Sequence, residues 1–124
     1  MKTKRKLGVW MDHSTAHLME ISPIPFEVTT IESDVQQPEK ESFEEFLTQN
    51  KSKQMRLKYY RKISRVIKDF YHVVLFGPTD AKVELYDLLS EDERFLKKKI
   101  EIKETDEMNP RQKHEFVMKY FSTT

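Results

Sequence analysis

The stretch Val73-Val74-Leu75-Phe76-Gly77-Pro78-Thr79-Asp80-Ala81-Lys82-Val83-Glu84-Leu85-Tyr86-Asp87-Leu88-Leu89 decides how the rest of the chain is read. The apolar run Val73 to Phe76 predicts a strand buried on both faces, and Gly77-Pro78 ends it abruptly. A helix follows at once. Thr79 is its expected cap, Asp80 complements its positive end, and Val83, Leu85, Tyr86, Leu88 and Leu89 supply its apolar positions. A buried strand feeding directly into a helix predicts an α/β sheet with parallel pairing.

Upstream of that stretch, Lys53 to Tyr71 carries Met55, Tyr59, Tyr60, Ile63, Val66, Ile67 and Phe70 at spacings of three and four, which predicts a helix. Downstream, Lys99 to Lys103 with Ile100 and Ile102 predicts an edge strand. A last helix then starts with Asn109 as cap and Pro110 at its first position, with Phe116, Val117, Tyr120 and Phe121 as its core face. At the other end of the chain, Leu7 to Met11 and Thr15 to Ile21 flank the turn-tolerant Asp12-His13-Ser14 and predict a β-hairpin. Ser22-Pro23-Ile24-Pro25 makes a second corner before a third strand, Phe26 to Ile31. Glu32 to Ser52 is polar and acidic, contains Pro38, and predicts a long loop, with room for a short helix around Phe43 to Leu47.

The order is a three-stranded antiparallel meander followed by α-β-α-β-α. With right-handed crossovers this is the ribonuclease H-like topology, a mixed five-stranded sheet with helices on both faces and the first strand beside the central one. The carboxyl ends of those two strands then meet at a switch point, where α/β sheets usually place their sites. Those ends carry Asp12, His13, Ser14, Gly77, Thr79 and Asp80.

At 124 residues the chain fits a single domain over 1–124, with the acidic loop 32–52 as its irregular part. It has no cysteine, which excludes disulfides and thiolate-bound zinc and suits a reducing cytoplasm. Met1 to Lys6 is charged like the start of a signal peptide, but Asp12 and His13 break the apolar run behind it, so export is not expected. No segment approaches the ~20 apolar residues that span a bilayer.

The net charge of +1 hides an asymmetry. From Glu32 to Glu45 the acids Glu32, Asp34, Glu39, Glu41, Glu44 and Glu45 face only Lys40. From Lys51 to Lys68 the bases meet no acid at all.

Three separated segments carry a resemblance. Gly8-Val9-Trp10-Met11-Asp12-His13-Ser14-Thr15-Ala16, Leu75-Phe76-Gly77-Pro78-Thr79-Asp80-Ala81-Lys82-Val83-Glu84-Leu85, and Asn109-Pro110-Arg111-Gln112 with Phe116-Val117 resemble a family of bacterial translational machinery proteins. Through it they resemble the central domain of eukaryotic and archaeal peptide-chain release factors and of Pelota. The resemblance implies a ribonuclease H-like domain that works at the ribosome or on transfer RNA. In release factors that domain delivers a Gly-Gly-Gln loop to the peptidyl transferase centre, whereas Pelota-like domains lack the motif. The only glycines here are Gly8 and Gly77, and Gln36-Gln37 stands between Val35 and Pro38, which cannot adopt glycine conformations. A non-catalytic role at the ribosome or on RNA is therefore the expectation.

Candidate RNA-binding residues are Lys53, Arg56, Lys58, Arg61, Lys62, Arg65 and Lys68, whose helical spacing lets several meet successive phosphates. Tyr59, Tyr60 and Tyr71 could stack on bases if exposed. The competing reading is a solvated helix paired with the acidic loop. A metal-dependent nuclease at Asp12, Asp80 and Asp106 is the enzymatic alternative, although the central strand ends in Gly77 rather than an acid, and turn and cap roles explain these acids more simply. Gly77-Pro78-Thr79 could hold an anion on free amides, but a tight turn explains it as well. The histidines His13, His17, His72 and His114 show no ligand spacing, and no catalytic residue, metal or cofactor is implied. A protein-interaction module, as a homodimer through the edge strand Lys99 to Lys103, is a further alternative.

Overall fold

The computed structural model describes residues 5–21, 25–33 and 42–122, with side chains for all of these except 25–28 and 42–53. In chain order the elements are β1 (Lys6–Met11), β2 (Thr15–Ile21), β3 (Pro25–Glu32), α1 (Ser42–Ile67), β4 (His72–Gly77), α2 (Ala81–Ser90), a short 3-10 turn (Glu93–Phe95), β5 (Lys99–Glu104) and α3 (Pro110–Ser122). The sheet order is β3-β2-β1-β4-β5. The meander pairs antiparallel, and β4 pairs parallel with both β1 and β5. This is the expected ribonuclease H-like order.

Successive apolar residues in β1 and β4 point to opposite faces, and each face gains its own cover. Leu7, Val9, Met11, Val73 and Leu75 join Ile63 and Ile67 of α1 and Leu85 and Leu89 of α2 in the larger core. Trp10, Met19, Val74 and Phe76 meet Val117 and Phe121 of α3 on the other side. Gly8 in β1 permits that approach, since a Cβ there would lie 2.5 Å from Val117 Cγ2. At the end of β4, Gly77 has φ 147°, and a Cβ would lie 2.2 Å from the Met11 carbonyl oxygen. Only glycine fits both that conformation and that closeness.

Four expectations need correction. Residues 42–52 are helical rather than part of a loop, because Phe43, Phe46 and Leu47 keep helical spacing and Glu44 and Glu45 sit near the positive end of α1. The remaining loop positions 34–41, including Gln36-Gln37, lie outside the described residues. At its other end α1 stops at Ile67, so Phe70 and Tyr71 lie beyond it. Backbone amides take up carbonyls of its last turn, Lys68 N donating to Ser64 O, Asp69 N to Val66 O and Phe70 N to Ile67 O, and Lys98 Nζ ties down the turn that follows by donating to Lys68 O at 2.7 Å and to Phe70 O at 2.5 Å. In α2 the cap position is Asp80, whose side chain makes no capping bond, while Thr79 Oγ1 accepts from Ala81 N at 3.2 Å. Val83 and Tyr86 are exposed, and Ala81 and Lys82 are buried in their place. The α3 cap is as expected: Asn109 Oδ1 accepts from Gln112 N, and Gln112 Oε1 accepts from Asn109 N in return.

Candidate nucleic-acid interface

The basic positions of α1 wrap its solvent side. Arg56, Lys58, Arg61, Arg65 and Lys68 are exposed and Lys62 is half-buried, with Lys68 in the turn after the helix. The Lys53 side chain lies outside the described residues. Tyr59 and Tyr60 are 1% and 3% exposed, so they do not offer stacking faces. They are adjacent on the helix, about 100° apart, and an apolar stripe at least that wide takes both. Tyr71, just before β4, is exposed.

Arg61, Arg65 and Lys68 stand on one wall of a groove of about 760 Å³ between α1 and the end of α2. Leu88 and Leu89 line it, and the facing wall is Glu91, Asp92, Glu93 and Arg94. Arg94 is tied to its neighbour: its Nε and Nη2 donate to the Asp92 carboxylate, Nη2 at 2.7 Å. Those bonds hold the Asp92 carboxyl below its ordinary range and push the Arg94 guanidinium up. Among the described residues Arg61, Arg65, Lys68, Glu91 and Glu93 form no ion pair. Sequence reasoning missed the acidic wall, because a three-residue turn shows no periodicity.

The strand-end residues form a different set. Asp12 Oδ1 accepts from Ser14 N at 2.7 Å and Thr15 N at 2.8 Å, which uses the carboxylate to close the β1–β2 hairpin. Tyr59 donates its hydroxyl proton to Asp12 O at 2.9 Å, and Tyr60 donates to Glu84 Oε1 at 2.5 Å. Burial, reinforced for Tyr60 by the Glu84 hydrogen bond, pushes both phenols well above their ordinary range. His13 Nε2 lies 3.6 Å from Glu84 Oε2, so the hairpin tip meets α2 through this glutamate. Asp80 is exposed, and Gly77 and Thr79 shape the turn between β4 and α2.

Lys82, which sequence reasoning did not single out, is 1% exposed. Its ammonium donates to Thr79 O at 2.5 Å and pairs with Glu104 Oε1 at 2.8 Å, locking the start of α2 to the end of β5. Among the described residues no group of three or more histidine, aspartate or glutamate side chains is placed to hold a metal ion. Asp12, Asp80 and Asp106 therefore do not form the converging set that a two-metal nuclease needs.

No protein-family model matches the sequence, and no curated protein is similar to it at a significant level. Solved structures are similar in fold. Archaeoglobus fulgidus Pelota superposes with a TM-score of 0.65 at 11% identity, over 96% of this chain and 32% of that one. Thermoplasma acidophilum Pelota gives 0.61 at 14% identity, over 98% and 32%. An archaeal translation termination factor gives 0.60 at 14% identity, over 91% and 33%. The chain thus spans about a third of the length of each of these proteins.

Proposed function

We propose that the protein is a non-enzymatic, translation-associated accessory domain that binds ribosomal or transfer RNA through the basic face of α1. The observation that carries this reading is the row Arg61, Arg65 and Lys68. These residues recur along ~10 Å of the helix and its end, exposed and without ion pairs among the described residues. A row of that kind neutralises successive phosphates and gains free energy from released counterions. The likeness of fold to Pelota and to a translation termination factor, together with the resemblance of the sequence to translational machinery proteins, supports a role in translation.

Peptide release is not part of this reading. Gly8 is buried in β1 and Gly77 closes β4, so neither belongs to a glycine-rich catalytic loop. Among the described residues no helix is long and apolar enough to cross a bilayer.

The test is co-sedimentation of the purified chain with ribosomes at rising salt. The expected result is association at low salt, release at high salt, and loss of association in an Arg61→Glu/Arg65→Glu variant. Salt-insensitive binding, or binding unchanged in that variant, would refute the assignment to α1.

A further inference from the structure

The groove beside α1 has two unlike walls, and their arrangement says more than that RNA is attracted. Arg61, Arg65 and Lys68 form one side, and Glu91 and Glu93 stand on the other. Because Arg94 is bonded to Asp92, it does not neutralise these two glutamates. A duplex laid in the groove would press a phosphate strand against the acids, and like charges there are repulsive. A single strand has phosphates on one side and base edges on the other, so it matches both walls.

The volume, about 760 Å³, falls within the ~300–1,000 Å³ of sites that enclose small organic ligands. That is more than one ion needs. Leu88, half-buried beside the buried Leu89, gives the floor a small apolar surface against which the edge of a base plane can lie.

We propose that this groove holds a nucleotide of single-stranded RNA, its phosphate on Arg61, Arg65 and Lys68 and its base read by the carboxylates of Glu91 and Glu93. The base chemistry that fits is guanine. Its Watson–Crick edge carries N1–H and the N2 amino group side by side, two parallel donors for the two oxygens of one carboxylate. Adenine and cytosine set one amino group beside a ring-nitrogen acceptor, which a carboxylate repels. Uracil's N3–H lies between two carbonyl oxygens. The proposal rests on the reading of α1 as an RNA-binding helix and adds the substrate class: unpaired strands that present guanine.

Fluorescence anisotropy of the full chain with labelled eight-nucleotide RNAs tests it. The probes are oligouridine, oligocytidine, oligoadenosine, and oligouridine carrying central guanines. The expected result is about tenfold or greater preference for the guanine-bearing strand, the scale of a good bidentate base pairing. Glu91→Gln/Glu93→Gln, both at exposed positions, removes the preference but leaves the slope of log affinity against log salt unchanged. Arg61→Gln/Arg65→Gln weakens binding to every probe and lowers the slope by ~0.7 for each phosphate that is no longer neutralised. Equal binding of all four probes, or a preference that survives in the glutamate variant, overturns the groove assignment and leaves the basic helix intact. Absence of binding to all four probes also overturns the groove assignment, and ribosome co-sedimentation then decides the reading of α1 by itself. A circular-dichroism melt of each variant confirms that it is folded.

Discussion

Replacing Gly77 by alanine tests whether the close approach of β4 to β1 holds the switch-point end of the sheet together. Two costs follow from the geometry. The backbone at φ 147° is a conformation that residues with a Cβ rarely adopt, worth about 1–3 kcal/mol. The new methyl would also lie 2.2 Å from Met11 O, more than ~1 Å inside ordinary van der Waals contact. The obstacle is backbone in the middle of a sheet, so it cannot rotate away, and relief by strand displacement costs about 1–3 kcal/mol more. The sum, about 2–6 kcal/mol, is a large part of the ~5–15 kcal/mol that stabilises a domain. Urea unfolding followed by far-ultraviolet circular dichroism reads it directly. With a slope of ~1–3 kcal/mol per molar, the midpoint falls by about 1–3 M in Gly77→Ala and the slope stays constant. A midpoint shift below about 0.3 M would show that the β4 end tolerates a Cβ and that the approach described here is wrong.

Two further outcomes follow from the same structure. Gly8→Ala meets the Val117 side chain rather than backbone and is expected to cost about 1–3 kcal/mol; adding Val117→Ala should relieve part of that, and a double-mutant cycle giving simple additivity would contradict the packing of α3 on β1. The buried phenols predict alkaline instability. Their folded-state pKa values are raised, so the unfolded chain loses tyrosine protons first as the pH climbs past the ordinary value of 10.0, and stability falls from there. Tyr59→Phe/Tyr60→Phe should flatten that decline in urea titrations between neutral pH and pH ~11, and a decline as steep as wild type would count against the burial of these rings.

Much of the frame was readable from the residues because it rests on strong local signals. The run Val73 to Phe76, β-branched at its start and stopped by Gly77-Pro78, reads as a short buried strand, Asp12-His13-Ser14 suits a hairpin tip, and Asn109 with Pro110 marks a helix start by capping chemistry. The misreadings have physical reasons as well. The acids before Lys51 read as loop because they are polar, yet near a helix N-terminus the same charges are favourable, and α1 runs from Ser42. Tyr59 and Tyr60 stood among the apolar positions of the helix and also as stacking candidates if exposed, because spacing alone does not say how wide the buried stripe of a helix is; the structure buries both. The groove beside α1 was half legible: its basic wall is a periodic helix face, whereas its acidic wall depends on where α2 ends and on the turn Glu93–Phe95, which is set by tertiary packing.

Lys82 has a use that its burial alone creates. An amine-reactive label needs access, and this ammonium is enclosed by Thr79 O and Glu104 while Lys68 lies open beside the groove. One labelling experiment read by mass spectrometry would therefore carry its own internal reference. Lys82 stays unmodified for as long as the junction of β4, α2 and β5 is intact, so any shielding of Lys68 by an added strand can be told apart from a change in the fold itself.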